Sequence, residues 1–293
     1  MSPANSSALD FDQSSPERVT LANRFSPARP FIKWAGGKRR LLDQYNLLLP
    51  NPSQFNRYFE PFLGGGAVFF HLRPSKALLA DLNPELINCY KMVKNYPDEL
   101  TDHLAKHKTT EQYFYKQREL LPENLTPIER ASRFIYLNKT CYNGLYRVNK
   151  QGQFNVPYGK YKKPSICDRE VIRVASEALQ NVQFSIASFE KTVLHAHPGD
   201  FIYLDPPYVP TSVTASFTSY TSSNFTESDQ VKLAEIVCTL DKKGCLFMLS
   251  NSDTKLVRNL YQGFKFFTVH CPRSINSNPF ARGLVTELVI KNY

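Results

Sequence analysis

Long apolar stretches are absent from this sequence of 293 residues, and no run approaches the roughly 20 residues that a membrane-spanning helix needs. We therefore expect no membrane span. The opening residues also lack the charged start and the apolar core of a signal peptide. They are instead rich in Ser, Pro and Asn, so we expect residues 1–28 to form a disordered tail.

Cysteine is sparse and unclustered. The six cysteines form no C-x-x-C pair and no group with histidine, which argues against a structural zinc site and a disulfide framework. Buried thiols in a reducing compartment are the simpler interpretation. We therefore expect a cytoplasmic protein with no bound metal.

Acidic residues are outnumbered: 26 Asp and Glu against 36 Lys and Arg give a net charge of +10 at pH 7. The imbalance is strongest in residues 130–163, which contain eight Lys and Arg, seven aromatic residues and no acid. A solvated basic face would not need rings, whereas nucleic acid offers phosphates to basic side chains and bases to rings. This basic aromatic segment predicts a nucleic-acid partner.

Apolar runs of strand length alternate with helical patterns over most of the chain, which predicts an α/β fold with a mostly parallel sheet. Residues 84–166 are poor in strand signals and hold the basic aromatic segment, so they indicate an inserted, largely helical domain. The sheet domain would then comprise residues 29–83 and 167–293. Helix starts are marked by Asn83 before a proline and by a capping box that opens at Thr126.

Two predicted strands end in groups suited to a nucleoside, and ligands of open α/β sheets lie beyond the carboxyl ends of strands. The first strand leads into a glycine-rich turn, Gly64–Gly66, where a ligand can approach the backbone closely. The second ends in Asp81, whose carboxylate can accept from both hydroxyls of a ribose. Each feature alone is also typical of an ordinary turn or a helix-flanking acid; together they indicate a nucleoside cofactor.

A third strand runs into D-P-P-Y, residues 205–208. Asp205 is an acceptor only, and the prolines supply carbonyls with fixed directions but no N–H. Two such acceptors beside the ring of Tyr208 suit the exocyclic amine of a flat heterocycle. A bare D-P-P-Y is also typical of a plain turn, but beside a nucleoside-like site the amine interpretation is favoured.

The segment W-A-G-G-K-R-R, residues 34–40, does not fit a P-loop because Arg39 follows Lys38 where Ser or Thr is required. A lysine on a Gly-Gly turn can still hold a carboxylate or a phosphate.

Taken together, these segments resemble the DNA adenine-N6 methyltransferases of the Dam type, over roughly residues 30–293. The resemblance rests on seven motifs in that family's order: F-I-K-W-A-G-G-K-R-R-L-L, E-P-F-L-G-G-G-A-V-F-F, A-D-L-N-P-E-L-I-N-C-Y, Y-L-N-K-T-C-Y-N-G-L-Y-R with F-N-V-P-Y-G-K-Y, D-P-P-Y-V-P, L-S-N-S-D and R-S-I-N-S-N. It implies a Rossmann-like class I fold, S-adenosyl-L-methionine as methyl donor and double-stranded DNA as substrate.

The resemblance also implies roles for individual residues. The adenine amine would donate to Asp205 and to the Pro206 carbonyl while Tyr208 stacks on the base, which makes these three the catalytic set. Lys38 would lie near the methionine carboxylate of the donor and Asp81 on its ribose. The donor-binding set implied by the family is Trp34, Lys38, Phe62, Gly64, Gly66, Asp81 and Asp205.

DNA recognition is implied to use the inserted domain, with GATC as the target and the adenine flipped out of the helix. Arg147 is the expected bidentate contact to guanine in the major groove, and Lys33 would contact another guanine. The remaining DNA-binding residues would fill the gap that the flipped adenine leaves in the helix, approach neighbouring bases or hold phosphates. They are Lys139, Tyr142, Asn143, Leu145, Pro157 and Tyr161.

Three alternatives stay open at this point. Methyltransferases for RNA or protein glutamine usually carry Asn before Pro-Pro-Tyr and lack the inserted block, and cytosine-N4 enzymes usually carry Ser there. A catalytically lapsed DNA-binding module would keep the basic segment without transferring methyl groups. For the enzyme we expect a monomer, associated with the nucleoid through DNA.

Overall fold

The computed structural model describes residues 27–210, 225–272 and 284–293. The predicted tail therefore lies outside the described residues except at its last two positions, and the motif R-S-I-N-S-N, residues 273–278, lies outside them as well. The strands are β1 Tyr58–Glu60, β2 Ala77–Asp81, β3 Val182–Ile186, β4 Phe201–Leu204, β5 Leu246–Ser252, β6 Lys265–Pro272 and β7 Leu284–Lys291. The α-helices are α1 Leu42–Tyr45, α2 Ala67–Leu72, α3 Pro84–Asn95, α4 Pro97–Leu104, α5 Glu111–Glu119, α6 Pro127–Thr140, α7 Arg169–Leu179, α8 Phe189–Val193, α9 Glu227–Lys242 and α10 Lys255–Leu260.

These strands form one seven-stranded sheet in the order β3-β2-β1-β4-β5-β7-β6. Strands β1 to β5 run parallel, and β7 runs antiparallel between β5 and β6. All four residues of β4 are buried, as expected for a central strand covered on both faces. The predicted α/β class with a mostly parallel sheet is confirmed.

The helix starts follow the capping signals. The Asn83 side chain accepts from the backbone N–H groups of Glu85 and Leu86, satisfying two donors at the start of α3 that have no partner within the helix. Thr126 and Glu129 form the reciprocal capping box at the start of α6. These two caps fix where the long helices of the inserted segment begin.

Residues 84–166 contain none of the described strands, but their first helix is not separate from the sheet. Helix α3 buries Ile87 and Tyr90 in the same apolar core as Tyr58 of β1. A separate, smaller core lies within the inserted segment and comprises Phe114, Tyr136, Leu137, Cys141, Phe154 and Val156. The domain boundaries at 83 and 166 remain predictions.

Candidate active site

The carboxyl ends of β2, β1 and β4 lie side by side, because these strands are neighbours and parallel. The edge therefore carries Asp81 at the end of β2, the Gly64–Gly66 turn after β1 and Asp205 after β4. Lys38 reaches the same place from the N-terminal segment, since its ammonium contacts Asp205. The structure thus brings together the donor-binding and catalytic residues that the sequence singled out.

The Asp81 side chain stabilises the glycine turn through hydrogen bonds. Its Oδ2 accepts from the backbone N–H of Gly64 at 3.1 Å, and its Oδ1 accepts from that of Asn83 at 2.9 Å. Burial raises the pKa of Asp81, and these backbone hydrogen bonds oppose the rise. Each carboxylate oxygen has room for a second donor, so Asp81 can bind a diol without losing the turn.

Trp34 packs directly on this turn. Gly64 has φ +47°, and a Cβ there would lie 2.6 Å from the indole Cδ1 of Trp34, so only glycine fits. The indole stacks on Tyr146 of the inserted segment, with ring centroids 5.8 Å apart and an angle of 21°. After β1, Phe62 stacks on Phe189 at 5.5 Å. The turn is therefore lined by aromatic rings, which suits a nucleoside.

Lys38 is a buried cation at the centre of the site, with 4% of its surface exposed. Its Nζ lies 2.8 Å from Asp205 Oδ1, donates to the Gly36 carbonyl at 2.7 Å and sits 4.8 Å from the ring centroid of Tyr208. Burial lowers the pKa of Lys38, but the attraction of Asp205 and its neighbours outweighs this and raises the pKa above its usual value. The ammonium therefore stays charged beside Asp205.

The D-P-P-Y corner keeps two acceptors free. Lys38 and the Ser250 hydroxyl both bind Asp205 Oδ1, each at 2.8 Å. Within the described part of the chain, neither Asp205 Oδ2 nor the carbonyl of the buried Pro206 has a hydrogen-bond donor. The Asp205 side chain is 20% exposed, so its Oδ2 is accessible, and together with the Pro206 carbonyl it offers two acceptors to a ligand that carries N–H groups.

The corner itself is held rigidly from two sides. Gln230 donates to the Pro207 carbonyl at 2.8 Å, and Val209 donates its N–H to Asn251 Oδ1 at 3.2 Å. Asn251 in turn donates to Gln230 at 3.1 Å, which closes the network between α9 and β5. Such a network presets the directions of the free acceptors.

Sequence reasoning missed two supports of this corner. The Tyr208 hydroxyl donates to Glu287 of β7 at 2.7 Å, and Ser250 of β5 donates to Asp205. Both partners lie far away in the sequence. Ser250 lies in the motif L-S-N-S-D, to which no role was assigned, and Glu287 lies on a strand that was predicted only as part of the sheet.

The predicted DNA-binding residues gather at the end of α6 and in the loop that follows. Backbone bonds join the two halves of the segment: Tyr142 N–H donates to the Pro157 carbonyl at 2.8 Å. Asn143 adopts φ +54°, which turns the chain sharply next to exposed Tyr142. Lys33 reaches this loop from the N-terminal segment, and its Nζ lies 4.4 Å from the ring centroid of Tyr161.

Arg147 stands on a short hairpin within the same segment. Its Nε donates to Asn155 Oδ1 at 2.7 Å, and the backbone N–H of Asn155 donates to the Arg147 carbonyl at 3.0 Å. Val148 and Phe154 pair across the hairpin. The guanidinium is exposed and anchored along one edge, while its Nη1 contacts none of the described residues.

Lys139 allows a prediction on pH. Burial and the positive charge of nearby Lys33 lower the pKa of Lys139 to about 8, so its ammonium is charged at pH 7 and neutral well above pH 8. The phosphate contact predicted for Lys139 would favour the charged form and would be lost gradually as the pH rises past 8. We expect the salt dependence of DNA affinity to weaken by about one phosphate contact between pH 7 and pH 9.5.

The measurement is a salt titration of DNA binding at both pH values. Lys139→Arg should abolish that part of the pH dependence, because an arginine stays charged. Lys150→Arg, at an exposed lysine of the same segment, is the matched control and should leave the pH dependence as it is. An identical pH response in all three proteins would contradict the role of Lys139.

The sheet order, the acid after β2 and the rigid corner with two free acceptors suit a protein that binds a nucleoside at the sheet edge and the amino group of a flat heterocycle beside it. The class of protein that the sequence resembles, the methyltransferases that act on an amino nitrogen, requires these two ligands.

The comparison with known families narrows this to one. Residues 34–275 match the D12 class N6 adenine-specific DNA methyltransferases, and the chain belongs to that family. It is 44% identical over 273 residues to a type II methyltransferase of Lactococcus lactis subsp. cremoris, covering 90% of this chain and 95% of the relative. It is 41% identical to a type II methyltransferase of Methanocaldococcus jannaschii over 90% of this chain and 99% of the relative. It is also 40% identical to the DNA adenine methylase of Escherichia coli (strain K12), over 89% and 94% respectively.

The protein is therefore an adenine-specific DNA methyltransferase that uses S-adenosyl-L-methionine. The predicted family, activity and donor are confirmed, and the RNA, cytosine-N4 and non-catalytic alternatives are not favoured. The residues at the sheet edge fit the donor, because Asp81 suits a ribose, Trp34 and Phe62 suit an apolar ring, and the Lys38 ammonium suits a carboxylate. No helix in the described ranges is long and apolar enough to cross a membrane. Nor do those ranges contain a cluster of three or more metal-ligating acids, histidines and cysteines.

Proposed function

We propose that the protein is a site-specific enzyme that methylates N6 of adenine in double-stranded DNA at GATC, after flipping the adenine into the D-P-P-Y corner. The observation that carries the proposal is the pair of free acceptors, Asp205 Oδ2 and the Pro206 carbonyl, beside the ring of Tyr208. An adenine amine has two N–H groups to donate to them. Within a duplex that amine is paired, so the base must leave the helix, at a cost of a few kcal/mol.

Each residue of the corner has one task in this proposal. Asp205 Oδ2 and the Pro206 carbonyl accept hydrogen bonds from the two amino N–H groups, which aims the nitrogen and stabilises the positive charge that grows on it as the new bond forms. One of the two protons then leaves to solvent, so the product is a neutral methylated amine. Tyr208 supports the ring of the base, and Glu287 fixes the orientation of Tyr208 through its hydroxyl. When bound, S-adenosyl-L-methionine supplies the methyl group from its sulfonium sulfur. The enzyme contributes mainly positioning and a preset electrostatic environment.

The same proposal assigns the DNA contacts. Arg147 and Lys33 read guanines; Tyr142, Asn143 and Leu145 fill the gap left by the flipped base; and Pro157 and Tyr161 approach neighbouring bases. The choice of GATC comes from the sequence resemblance, and the exposed basic residues of the inserted segment support DNA as the substrate. A monomer without a bound metal is sufficient for this chemistry, because the nitrogen itself attacks the methyl group.

The proposal is tested by labelled methyl transfer to two matched duplexes. One carries GATC, and the other carries GATC with N6-methyladenine on both strands. We expect label only in the first, because in the second the target nitrogens are already methylated. Transfer to both duplexes, or to neither, would overturn the assignment; sequencing of methylated adenines in treated genomic DNA would then reveal any other target.

A further inference from the structure

Asn138, near the end of α6, joins two separate segments of the DNA-facing surface. Its side chain is 1% exposed. Its Oδ1 accepts from the Lys33 N–H at 2.8 Å, and its Nδ2 donates to the Lys33 carbonyl at 2.7 Å and to the Gly144 carbonyl at 3.0 Å. One amide therefore ties the N-terminal segment to the loop that contains Tyr142 and Asn143.

The Lys33 side chain is fitted to the same loop. Gly144 has φ +64°, and a Cβ there would lie 2.7 Å from Lys33 Cβ, so the glycine leaves the space in which the lysine stem lies. Beyond the stem, the ammonium lies 4.4 Å from the ring centroid of Tyr161. Buried Asn138 thus sets the backbone of Lys33, and Gly144 and Tyr161 set the path of its exposed side chain.

Lys33 directly precedes Trp34, which packs on the glycine turn of the donor site. Asn138 therefore acts where the donor-binding segment meets the DNA-binding loop. Buried side-chain amides with all their hydrogen bonds made are rigid links, and losing one partner leaves the others unsatisfied.

We propose that Asn138 is a positioning residue for target recognition. It fixes the positions of Lys33 and the Tyr142–Leu145 loop relative to each other, and in this way it determines how strongly the enzyme discriminates between DNA sequences. This inference rests on the proposed function, which makes Lys33 and the loop DNA contacts. Asn138 itself touches neither DNA nor donor in this proposal.

The test uses Asn138→Asp, which keeps the acceptor for the Lys33 N–H but places an oxygen against the carbonyls of Lys33 and Gly144. We expect discrimination between the target duplex and one with its guanine replaced to fall about tenfold, or about 1.4 kcal/mol. Binding of S-adenosyl-L-homocysteine, measured by calorimetry, should not change. If this variant does not fold, Asn138→Ser removes both N–H donors without adding charge and takes its place.

The matched control is Ser132→Ala, on the same helix. Ser132 is fully buried and hydrogen bonds to His107 at 2.9 Å, but it contacts neither DNA-facing segment. It should lower the thermal unfolding temperature without changing discrimination. A second measurement combines Asn138→Asp with Lys33→Ala: if Asn138 acts through Lys33, the two losses of discrimination are less than additive.

Unchanged discrimination in the Asn138 variant, an equal change in the Ser132 control, or additive losses would overturn the inference. Failure of the proposed function gives a different pattern. If the wild type methylates another sequence, GATC is wrong, and the comparison is made on the sequence that it does methylate. If it transfers no methyl group, the same variants are compared by their preference in equilibrium DNA binding.

Discussion

The Asp205→Ala variant is expected to lose methyl transfer by at least about 10²–10³-fold in kcat while retaining most of its affinity for DNA. The substitution removes Oδ2, one of the two acceptors that we propose for the adenine amine. It also removes the negative charge that stabilises the nitrogen as it becomes positive. DNA affinity comes mainly from contacts between basic side chains and phosphates, which this corner does not make.

The variant also leaves the Lys38 ammonium without its partner, so a loss of stability must be separated from a loss of chemistry. The two side chains of this pair are 5% and 20% exposed, and removing one partner of a buried pair costs about 3–5 kcal/mol, less where one partner reaches solvent. We expect a lower unfolding temperature for Asp205→Ala. Adding Lys38→Met should restore that temperature without restoring activity.

Single-turnover transfer, thermal unfolding and DNA binding are measured side by side at a temperature where the variant is folded. Asp102→Ala is the control, since it removes an exposed ion pair with Arg169 away from the site. It should change none of the three by much. If DNA binding of Asp205→Ala falls as steeply as transfer does, the corner has a structural role and the catalytic assignment is wrong.

The sequence was sufficient to predict the elements and the edge at which the site lies. Asn83 and Thr126 mark helix starts through local hydrogen bonds, which depend only on neighbouring residues. Asp81 and Asp205 follow strands, and parallel strands bring their carboxyl ends together whatever the loops between them do. These predictions succeed because they depend on short-range rules or on the geometry of a parallel sheet.

The supports of the site could not be predicted in this way. Ser250 and Glu287 meet Asp205 and Tyr208 only after β5 and β7 take their places in the sheet. Asn138 reaches Lys33 across 105 positions of the sequence, and nothing in its local pattern distinguishes it from a helix residue near solvent. Helix α3 likewise packs in the same core as β1, and its own sequence pattern does not indicate this long-range contact.

Arg147→Ala is expected to cost about 1–3 kcal/mol of discrimination at one base pair of the target. The guanidinium is exposed, and Asn155 accepts from its Nε at 2.7 Å and from its Nη2 at 3.4 Å. Nη1 and the second N–H of Nη2 can therefore donate to the O6 and N7 atoms of guanine. Anchoring reduces the entropy that such a contact would otherwise lose. Transfer to the target should slow, while transfer to the duplex with that guanine replaced should hardly change.

Two variants distinguish recognition of a base by Arg147 from a general effect of positive charge on DNA binding. Arg147→Lys keeps the positive charge but lacks the planar fork, so it should lose discrimination nearly as fully as Arg147→Ala. Lys150→Ala removes an exposed charge from the same hairpin, so it should weaken binding to all duplexes alike and leave discrimination as it is. The measured quantity is the ratio of kcat/KM for the two duplexes at one salt concentration.

The three ratios together decide what Arg147 does. If alanine and lysine at position 147 both make kcat/KM nearly equal for the two duplexes, the planar guanidinium reads a base. If only alanine lowers activity, and does so on both duplexes, Arg147 is a phosphate contact whose charge is what matters. In that case the reading of guanine must come from Lys33, which the proposal also places on a guanine and which Asn138 ties to the loop after α6.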